Sequence, residues 1–535
     1  MQLATRGILK GKPLRPAQID ALAFIKENYQ NAKIICINAP TGSGKSLIGA
    51  EAFGDERIFY LCSSIQLQKQ LHETYPEASV LWGRANYKCV DPLYGKKFKN
   101  VEQCPMRGNQ RCDYCDYKIA FRSAVKNDFS ILNFHMFLTL TTSRIIDSSD
   151  RHIIIDEADM IEDTLIDMAS FSFSLNSFEP FDIKPPEVRF RTKVKYAFEY
   201  LNLIKHDVSV WITSHEPVIK SIQKKMSQKT SLTEEEVKLS KLYSKAVRLM
   251  KKLEFVLNIS EDESDWVYHY DAVSERFKFR LKWIKKPFLE KVLLSNGRTF
   301  LLMSATLPSP QGMMSIFDLE LSDFEYLELP SAFHPSRRMV ICIPAYRAVH
   351  SETPRAEIIR NAVKRVLELE KGRKGVIHAV SYKMADTLKG LSPRLMFHAK
   401  SDKSSKDEVL KAFLESTDGV LVSPCFTRGL DLPDDKGRFA IWLKCPWPDL
   451  SDPLVKIRVY GSGRKGKIWY YSTTAQSIVQ GAGRIVRHEE DYGRTYILDS
   501  EVIRLLTQHA ALFPMWFREA VVFEKDLDSL TLDSY

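Results

Sequence analysis

A glycine-rich segment near the N-terminus has the residue types and the spacing that bind nucleotide phosphates. It follows an apolar strand and opens a helix, so its backbone N–H groups can surround phosphate oxygens and the helix N-terminus adds a favourable dipole. Lys45 is expected to reach the β- and γ-phosphates, and Ser46 to bind Mg²⁺. A chance match in a turn is the alternative, and the flanking strand and helix argue against it. The segment consists of Ala39, Pro40, Thr41, Gly42, Ser43, Gly44, Lys45 and Ser46.

Two adjacent acids further along the chain have the chemistry that phosphate hydrolysis needs. Asp156 and Glu157 follow the apolar run 153–155, which predicts a buried strand that ends in a carboxylate. Asp156 is expected to hold the metal ion, and Glu157 to orient and deprotonate the attacking water. Adjacent acids usually lie in a solvated loop. After a fully apolar strand, in a chain with a phosphate segment, they indicate a nucleoside triphosphatase.

Three later motifs narrow the class of hydrolase. Each is weak by itself, because a Ser-Ala-Thr sequence is common at strand ends and an arginine pair usually lies on a solvated face. Their order and spacing behind the phosphate segment and the acid pair are much more specific. The three motifs are Ser304–Thr306, Thr427–Asp431 and Gln480–Arg487.

Together these motifs resemble superfamily 2 helicases, and within them the XPD/DinG iron–sulphur group, over almost the whole chain. The resemblance implies two RecA-like domains with ATP in the cleft between them. It also implies that Arg484 and Arg487 act as arginine fingers and that Gln480 senses the nucleotide. The other ATP-site positions that it implies are Arg15 and Gln18 on the adenine side, and Gly429 and Asp431 near the ribose.

The same resemblance implies contacts with nucleic acid, and it exposes three departures from the family pattern. Asp159 stands where His is usual, Arg428 where an acid is common, and His378 where Phe is usual. None of the three belongs to the phosphate chemistry, so they concern the coupling of hydrolysis to strand movement. The positions expected to bind the nucleic-acid backbone are Ser63, Ser64, Gln66 and Ser381.

Four of the nine cysteines are clustered in sequence and indicate a metal site, because thiolates are soft metal ligands. Their spacing alone leaves zinc and an iron–sulphur cluster equally open. They lie between residues 63–66, which are expected to bind nucleic acid, and the acid pair. The resembled helicases carry a [4Fe–4S] cluster at this place in the chain. We therefore expect that cluster, with zinc as the alternative. The four are Cys89, Cys104, Cys112 and Cys115.

Residues 84–122, here called the cluster segment, also have the composition of a nucleic-acid contact. They hold nine Lys or Arg against four Asp or Glu, with aromatic side chains interleaved. Basic residues follow a phosphate backbone and aromatic rings stack on exposed bases, so we expect Tyr87 and Tyr114 to contact nucleic acid. The alternative is a solvated basic face whose aromatic side chains pack around the cluster.

Apolar strands that alternate with helical patterns predict an α/β fold with two RecA-like parallel-sheet domains in the 535-residue chain. A small Cys-rich cluster domain and a mainly helical arch domain interrupt the first. From Leu239 onward a three-four apolar spacing predicts a long helix, with Ser231 and Glu234 as its capping box. The predicted boundaries are 1–83, 123–179 and 291–329 for the first RecA-like domain, 84–122 for the cluster domain, 180–290 for the arch and 330–535 for the second RecA-like domain.

Charge and cysteine usage set the expected partners and compartment. The formal net charge of +10 weakly favours a polyanionic partner. Residues 1–13 lack the apolar core expected of a signal peptide, no apolar run predicts a membrane span, and nine cysteines are an odd number. We therefore expect an intracellular, reducing location: cytoplasm or nucleoid, or the host cell if the protein is viral.

The expected function is an ATP-dependent DNA helicase that acts as a monomer with ATP, Mg²⁺ and a [4Fe–4S] cluster. By the resemblance it moves 5′ to 3′ on single-stranded DNA and opens forked DNA. One alternative is an RNA-directed remodelling ATPase, in which the Asp-Glu-Ala-Asp sequence at 156–159 is common. Another is an ATP-gated clamp on a single strand that opens no duplex.

Overall fold

Two seven-stranded parallel sheets form the two lobes of the chain, and a helical arch is inserted in the first. The computed structural model describes residues 2–106, 115–183, 194–259, 262–271, 276–348, 356–397, 403–424 and 432–527. The strands in these ranges, in chain order, are β1 (Ile34–Asn38), β2 (Ile58–Cys62), β3 (Ser79–Leu81), β4 (Phe129–Asn133), β5 (His152–Asp156), β6 (Phe171–Phe173), β7 (Trp266–Asp271), β8 (Arg276–Leu281), β9 (Phe300–Ser304), β10 (Phe324–Glu328), β11 (Val340–Tyr346), β12 (Gly375–His378), β13 (Leu395–Phe397), β14 (Val420–Ser423), β15 (Phe439–Trp442), β16 (Arg494–Asp499) and β17 (Val521–Phe523).

Helices cover the faces of both sheets and build the arch. None of the helices in the described ranges combines the length and the apolarity that a membrane span requires. In chain order the helices are α1 (Pro16–Asn28), α2 (Lys45–Glu51), α3 (Ile65–Thr74), α4 (Asp116–Lys126), α5 (Phe134–Thr142), α6 (Ile161–Ala169), α7 (Val194–Ser227), α8 (Glu234–Ile259), α9 (Lys286–Val292), α10 (Pro310–Phe317), α11 (Ala356–Leu369), α12 (Tyr382–Asp386), α13 (Lys403–Glu415), α14 (Pro453–Gly461), α15 (Gly463–Ala482), α16 (Ser500–Gln508) and α17 (Met515–Arg518).

Lobe 1 is built on the sheet with strand order β10-β1-β9-β5-β2-β4-β3, in which every neighbouring pair is parallel. Every residue of β1, β2 and β9 is buried, because helices cover both faces of a parallel sheet. The carboxyl ends of β1, β5 and β9 meet at one edge of this sheet. The phosphate segment, the acid pair and the Ser304–Thr306 motif therefore begin side by side.

Lobe 2 repeats this architecture with strand order β13-β14-β12-β15-β16-β11-β17, again parallel throughout. Its central strands β12, β14 and β15 are wholly buried. The chain passes from lobe 1 to lobe 2 between the end of β10 at Glu328 and the start of β11 at Val340. The predicted fold class, two RecA-like α/β lobes with an insertion in the first, is confirmed.

The arch consists of two long helices packed on a small antiparallel sheet. Helices α7 and α8 pack together, and β8 pairs with both β6 and β7. Alternate side chains of β8 are buried, as its apolar–basic alternation predicts. The predicted capping box of α8 is wrong: the Glu236 N–H donates to the Thr233 hydroxyl (3.2 Å) and the Thr233 N–H donates to the Glu236 carboxylate (2.9 Å).

The cluster segment packs against the arch through both apolar and polar contacts. Tyr94 and Phe98 lie in one buried cluster with apolar side chains of α7 and α8. The Tyr94 hydroxyl donates to the carbonyl of Thr230 (2.6 Å), and the Gln223 amide donates to the carbonyl of Pro105 (2.9 Å). The described part of the cluster segment is therefore braced by the tip of the arch.

A buried ion pair fastens lobe 2 to lobe 1 and to the base of the arch. Arg458 of α14 donates to the Glu162 carboxylate of α6 (2.8 Å), and Trp469 of α15 donates its indole N–H to the same carboxylate (3.0 and 3.1 Å). The Arg458 guanidinium also lies 4.8 Å from the ring centroid of Trp283 and 4.6 Å from that of Trp469. We call these four side chains, Glu162, Trp283, Arg458 and Trp469, the arginine–tryptophan node.

Burial dominates the electrostatics of this node. Arg458 is 3% exposed, and burial raises the pKa of Glu162 while Arg458 and Trp469 lower it again. The buried Glu162 carboxylate depends on the Arg458 cation and on the Trp469 N–H, because burial keeps bulk solvent from taking their place. Removal of one of these side chains is therefore expected to lower the stability of the folded chain substantially.

Arg458→Met is expected to lower the free energy of unfolding by about 3 kcal/mol, because it leaves the Glu162 carboxylate buried without its cation. Arg280→Met is the matched control, since Arg280 also ties the arch to lobe 2 but its ion pair with Asp452 is 26% and 32% exposed. For the control we expect a loss below about 1 kcal/mol. Urea unfolding of both variants measures the difference, and equal losses would contradict the special cost of the buried pair.

Candidate nucleotide and nucleic-acid sites

The phosphate segment has a backbone conformation that only glycine adopts without strain at two positions. Gly42 and Gly44 have φ angles of +83° and +81°, and Gly44 is the N-cap of α2. A Cβ atom on Gly42 would lie 2.3 Å from the ring of Phe333, and one on Gly44 would lie 2.2 Å from the Gln18 amide nitrogen. The loop is thus closely packed from outside, and Lys45 and Ser46 begin the helix that points at the phosphate site.

The two residues expected on the adenine side hold this loop in place. The Gln18 amide donates to the carbonyl of Ser43 (3.1 Å) and accepts the Arg15 N–H (2.9 Å). The Arg15 guanidinium donates to the carbonyl of Gly42 (2.8 Å). Gln18 is only 6% exposed. Both side chains line the cleft, but much of their hydrogen-bonding capacity is used on the loop itself.

The acid pair lies beside the loop at the carboxyl end of β5. Asp156 accepts the Tyr60 hydroxyl (3.2 Å) and the Glu157 N–H (3.0 Å). Burial, and next to it the Glu157 charge, raises the pKa of Asp156 to about 6, while Lys45 lowers it. Glu157 itself has a φ of 55°, an uncommon conformation for a residue other than glycine. A buried carboxylate of this kind gains most from a bound cation.

One cleft brings together most of the predicted ATP-site residues from both lobes. It has a volume of about 710 Å³ and runs between the phosphate segment and the end of α15. Ala39, Pro40 and Ser43 do not line it but belong to the loop that does, and Gly429 and Asp431 lie outside the described residues. The predicted residues that line the cleft are Arg15, Gln18, Thr41, Gly42, Gly44, Lys45, Ser46, Asp156, Glu157, Gln480, Arg484 and Arg487.

A carboxylate where the resemblance leads one to expect histidine connects the two lobes. Asp159 accepts the Ser304 hydroxyl (2.7 Å) from lobe 1 and the Gln480 amide (2.6 Å) from lobe 2. Gln480 also donates to the Thr306 hydroxyl (3.2 Å), and Gln476 donates to the Thr306 carbonyl (3.0 Å). Asp159, the Ser304–Thr306 motif and α15 are therefore joined by one hydrogen-bond network, which we call the interlobe network.

The residues expected to bind the nucleic-acid backbone lie at strand ends in both lobes. Ser64 caps α3 by accepting the Leu67 N–H (3.2 Å), and Ser381 caps α12 by accepting the Met384 N–H (3.2 Å). Each lobe therefore presents a helix N-terminus, a favourable place for a phosphate, at the corresponding strand end. Three side chains of this set are exposed, namely those of Ser63, Gln66 and Ser381.

The cluster segment presents less aromatic surface than its sequence suggests. The Tyr87 side chain is 9% exposed, its hydroxyl accepts the Trp82 N–H (3.1 Å), and its ring packs edge-on against Tyr117. This placement favours the alternative in which such rings pack around the cluster. Tyr114, the second predicted stacking residue, lies outside the described residues.

Three of the four clustered cysteines are described, and they lie close enough to influence one another. Cys104 and Cys115 are buried and Cys89 is half-buried, while Cys112 lies outside the described residues. Burial first, and in part the Cys89 and Cys115 charges, raise the pKa of Cys104 to about 11. Such a set of thiols becomes ionised together only when a metal centre compensates the charge, so its chemistry fits a metal centre.

The spacing of the three described thiols bears on the choice of metal. A single zinc ion with four sulphurs at about 2.3 Å would bring those sulphurs to about 3.8 Å from one another. Within the described residues, the group whose ligand atoms all lie within 4.8 Å of one another is Asp434, His488 and Asp491, and it includes none of the cysteines. Among the described residues, Cys89, Cys104 and Cys115 therefore do not together form a group of this size.

His378, a departure from the family pattern, fills the space between β12 and α15. It is 2% exposed and stacks on Trp442 at 4.5 Å between ring centroids. Burial lowers the pKa of His378 to about 4, so the ring is neutral at pH 7. A Cβ atom on Gly481 would lie 3.2 Å from its Nε2. His378 therefore packs between β12, which leads to Ser381, and α15, which carries Gln480.

Two aromatic residues of the cleft region could not be found by motif. Phe333 packs beneath Gly42 from the interlobe connection, and Trp516 of α17 lines the cleft from lobe 2. Neither belongs to a recognisable spacing pattern in the sequence. Only the packing of α17 against the start of lobe 2 brings Trp516 to this place.

Two protein families match separate parts of the chain. The family described as "Type III restriction enzyme, res subunit" matches residues 11–164, and the family described as "Helicase C-terminal domain" matches residues 368–520. The first range contains the phosphate segment and the acid pair. The second contains Gln480 of α15 and the arginines that follow this helix, so each match covers one wall of the cleft.

Curated relatives match over shorter stretches. "Regulator of telomere elongation helicase 1" of Bos taurus is 28% identical over 147 residues, which is 24% of this chain and 12% of that protein. Its homologue in Drosophila melanogaster is 31% identical over 109 residues, 18% of this chain and 11% of that protein. The alignments thus span only about a tenth of the length of these relatives.

Solved structures share the fold over nearly the whole chain. The structure titled "XPD_Helicase" has a TM-score of 0.63 and 15% identity, and the match covers 96% of this chain and 100% of that one. "Structure of S. tokodaii Xpd4" has a TM-score of 0.59 and 14% identity, with 95% and 100% covered. At these identities the likeness concerns the fold alone.

Asp159→Ala is expected to lower nucleic-acid-stimulated ATP turnover about tenfold or more, because it removes two charge-assisted hydrogen bonds, one from Ser304 within lobe 1 and one from Gln480 that joins the lobes. The KM for ATP should change little, since the phosphate segment does not depend on Asp159. Steady-state kinetics with and without a DNA oligonucleotide measures both quantities. Asp55→Ala, at an exposed carboxylate, is the control. A tenfold rise in KM at unchanged kcat would contradict a role between the lobes.

Proposed function

We propose that this chain, which belongs to the XPD/DinG-like group of superfamily 2 helicases, is an ATP-driven motor that moves along single-stranded DNA and unwinds duplex. One observation carries the proposal. The phosphate segment and acid pair of lobe 1 face Arg484 and Arg487 of lobe 2 across a single cleft. A nucleotide in that cleft would be completed only when both lobes contribute, so its hydrolysis changes how the lobes fit together.

Each wall of the cleft has a separate task in the proposed hydrolysis. Lys45 and the N–H groups at the start of α2 would bind the phosphates, and Ser46 with Asp156 would hold Mg²⁺, which would supply neutralisation of phosphate charge. Glu157 orients the attacking water and accepts its proton. Arg484 and Arg487 stabilise the charge that develops on the transferred phosphoryl group.

The interlobe network gives the proposed hydrolysis a route to movement. Asp159 follows the acid pair by two residues and binds Gln480, which lies near the end of α15, four residues before Arg484. When the γ-phosphate is lost, the arginines lose their anion and the hydrogen bond between Asp159 and Gln480 is left at this end of the cleft. Opening of the cleft there then breaks this bond and the bond from Gln480 to Thr306.

The two capped helix N-termini are the proposed grips on the strand. Ser64 in lobe 1 and Ser381 in lobe 2 occupy corresponding strand ends, and a phosphate at each would move with its own lobe. Alternate tightening of the two grips as the cleft opens and closes moves the chain along the strand. The 5′ to 3′ direction is proposed from the family resemblance.

The cluster segment is the proposed wedge that separates the strands. Cys89, Cys104, Cys112 and Cys115 would hold a [4Fe–4S] cluster, which supplies a rigid covalent cross-link within a short segment. The position of the four cysteines in the chain, which matches the resembled helicases, and the bracing of the segment by the arch support this assignment over zinc. Since one chain supplies both walls of the ATP site, a monomer is sufficient for the proposed activity. With DNA as its substrate, the proposed location is inside the cell.

Lys45→Ala is expected to reduce ATP turnover at least a hundredfold while leaving the fold intact, because the lysine's charge is lost at the phosphates and its side chain touches little else. Phosphate release in the presence of single-stranded DNA measures the effect. Lys69→Ala, on an exposed position of α3, is the matched control. ATP turnover retained in Lys45→Ala would contradict the assignment of the ATP site to this cleft.

The choice of nucleic acid is tested with the same enzyme. We expect DNA oligonucleotides to stimulate turnover more than RNA of the same sequence, and a 5′-tailed duplex to be opened in preference to a 3′-tailed one. Stronger stimulation by RNA would support the remodelling ATPase instead. Stimulated turnover without any strand displacement would support the clamp.

Cys104→Ser is expected to abolish the bound iron and the strand displacement while leaving DNA-independent ATP turnover largely intact, because lobe 1 supplies the phosphate site without the cluster segment. Iron content and visible absorption of anaerobically purified protein measure the first effect. Cys342→Ser, buried in lobe 2, is the control for loss of a thiol elsewhere. Zinc in place of iron in the unmodified protein would contradict the cluster assignment.

A further inference from the structure

The two arginines expected to act at the γ-phosphate lie on a loop that has no helix or strand of its own. Residues 483–493, here called the finger loop, run from the end of α15 to the start of β16. Arg484 and Arg487 line the nucleotide cleft and are half-buried. An arginine stabilises transition-state charge only where its guanidinium is held in the right place, so some contact must fix this loop.

Apolar packing fixes the part of the finger loop between the two arginines. Ile485 and Val486 are buried in one cluster with Phe333 and with Ala440 of β15. Arg487 is the next residue in the chain, and it is not a member of this apolar cluster. Its backbone therefore needs a polar contact to keep a defined position.

Asp491 supplies that contact from the second half of the finger loop. One oxygen of its carboxylate accepts the Arg487 N–H (3.0 Å), and the Asp491 N–H donates to the carbonyl of His488 (3.0 Å). The side chain of Asp491 is fully buried (0% exposed). A carboxylate that accepts a backbone N–H away from bulk water makes a strong, directional hydrogen bond. These two bonds close a turn that begins at Arg487.

Asp491 is itself anchored to the sheet of lobe 2. Its other oxygen accepts the guanidinium of Arg438 (2.7 Å) and the N–H of Tyr492 (2.9 Å). Arg438 immediately precedes β15, its side chain is 10% exposed, and its guanidinium lies 4.1 Å from the ring centroid of Tyr492. One buried carboxylate therefore connects the backbone of Arg487 to the edge of the lobe 2 sheet.

We propose that Asp491 is a positioning residue for ATP hydrolysis, which places Arg487 at the transferred phosphoryl group without touching the nucleotide. The described lining of the cleft does not include Asp491. The inference rests on the nucleotide site of the proposed function, and it adds a residue that lies beyond the Gln480–Arg487 motif. Misplacement of Arg487 acts on the transition state, so kcat should fall while the affinity for the ground-state nucleotide stays the same.

A bound cation is the rival role for this carboxylate. Asp491 forms a group with Asp434 and His488 in which the ligand atoms lie within 4.8 Å of one another. However, both oxygens of Asp491 already accept hydrogen bonds, and Arg438 already compensates its charge. A metal ion there would have to displace these donors and would be repelled by the guanidinium. The contacts of Asp491 therefore favour the positioning role.

The test compares kcat for ATP with the affinities for ADP and for ADP–aluminium fluoride, a mimic of the transferred phosphoryl group. In Asp491→Ala, we expect kcat and the affinity for the mimic to fall together by about tenfold to a hundredfold. The KM for ATP and the affinity for ADP should stay within about twofold of the wild-type values. Asp435→Ala is the matched control and should leave all four quantities unchanged. It also removes a carboxylate from Arg438 (3.0 Å), but that carboxylate is 96% exposed.

Two further variants make the test independent of how well Asp491→Ala folds. The double variant Arg438→Met with Asp491→Ala removes both buried charges, so it leaves no unpaired ion, and it should show the same loss of kcat. In a chain that already carries Arg487→Ala, the change Asp491→Ala should lower kcat no further, because Asp491 acts through Arg487.

Three results would overturn the positioning role. They are equal losses of affinity for ADP and for the mimic, an unchanged kcat in Asp491→Ala or in the double variant, and an undiminished further loss of kcat in the Arg487→Ala chain. In each of these cases the wild-type protein still turns over ATP, so the proposed motor is unaffected. Wild-type protein that turns over no ATP would overturn the proposed function, and the positioning role with it.

Discussion

The carboxylate of Asp159 binds side chains of both lobes. The strand order of lobe 1 and the position of α15 bring those side chains to it. One oxygen is bound by Ser304 at the end of a lobe 1 strand and the other by Gln480 near the end of a lobe 2 helix. Neither lobe can satisfy both oxygens alone. The parallel order of strands in lobe 1 places β5 beside β9, and α15 must arrive across the cleft for the set to close.

Charge is distributed across this cleft so that neither wall is complete. Lobe 1 combines a lysine with two acids, one of which has a raised pKa because it is buried beside the other. Lobe 2 brings arginines and an aromatic ring. A triphosphate with its metal ion satisfies both walls simultaneously, which is why the site is built at a boundary and not within one sheet.

The parts of this arrangement that could be predicted from sequence are those encoded locally. Runs such as 153–155 must be buried strands, and the glycines at 42 and 44 fit only a phosphate-type loop, so both were predictable. The cap of α8 was misplaced, because Thr233 competes with Ser231 on equal chemical terms and only the helix register decides. Trp516, Phe333 and the pairing of Glu162 with Arg458 depend on contacts between residues far apart in the chain, which no local pattern reports.

Since Arg458 and Trp469 bind the same carboxylate of α6, the beginning of α15 is anchored to lobe 1 whatever happens at the other end. From Trp469 to Gln480 the helix is about 16 Å long. A swing of only about ten degrees around the anchored end displaces the far end by about 3 Å, enough to break every hydrogen bond there. On the proposed function, the cleft would therefore open and close at the nucleotide while the arginine–tryptophan node stays intact.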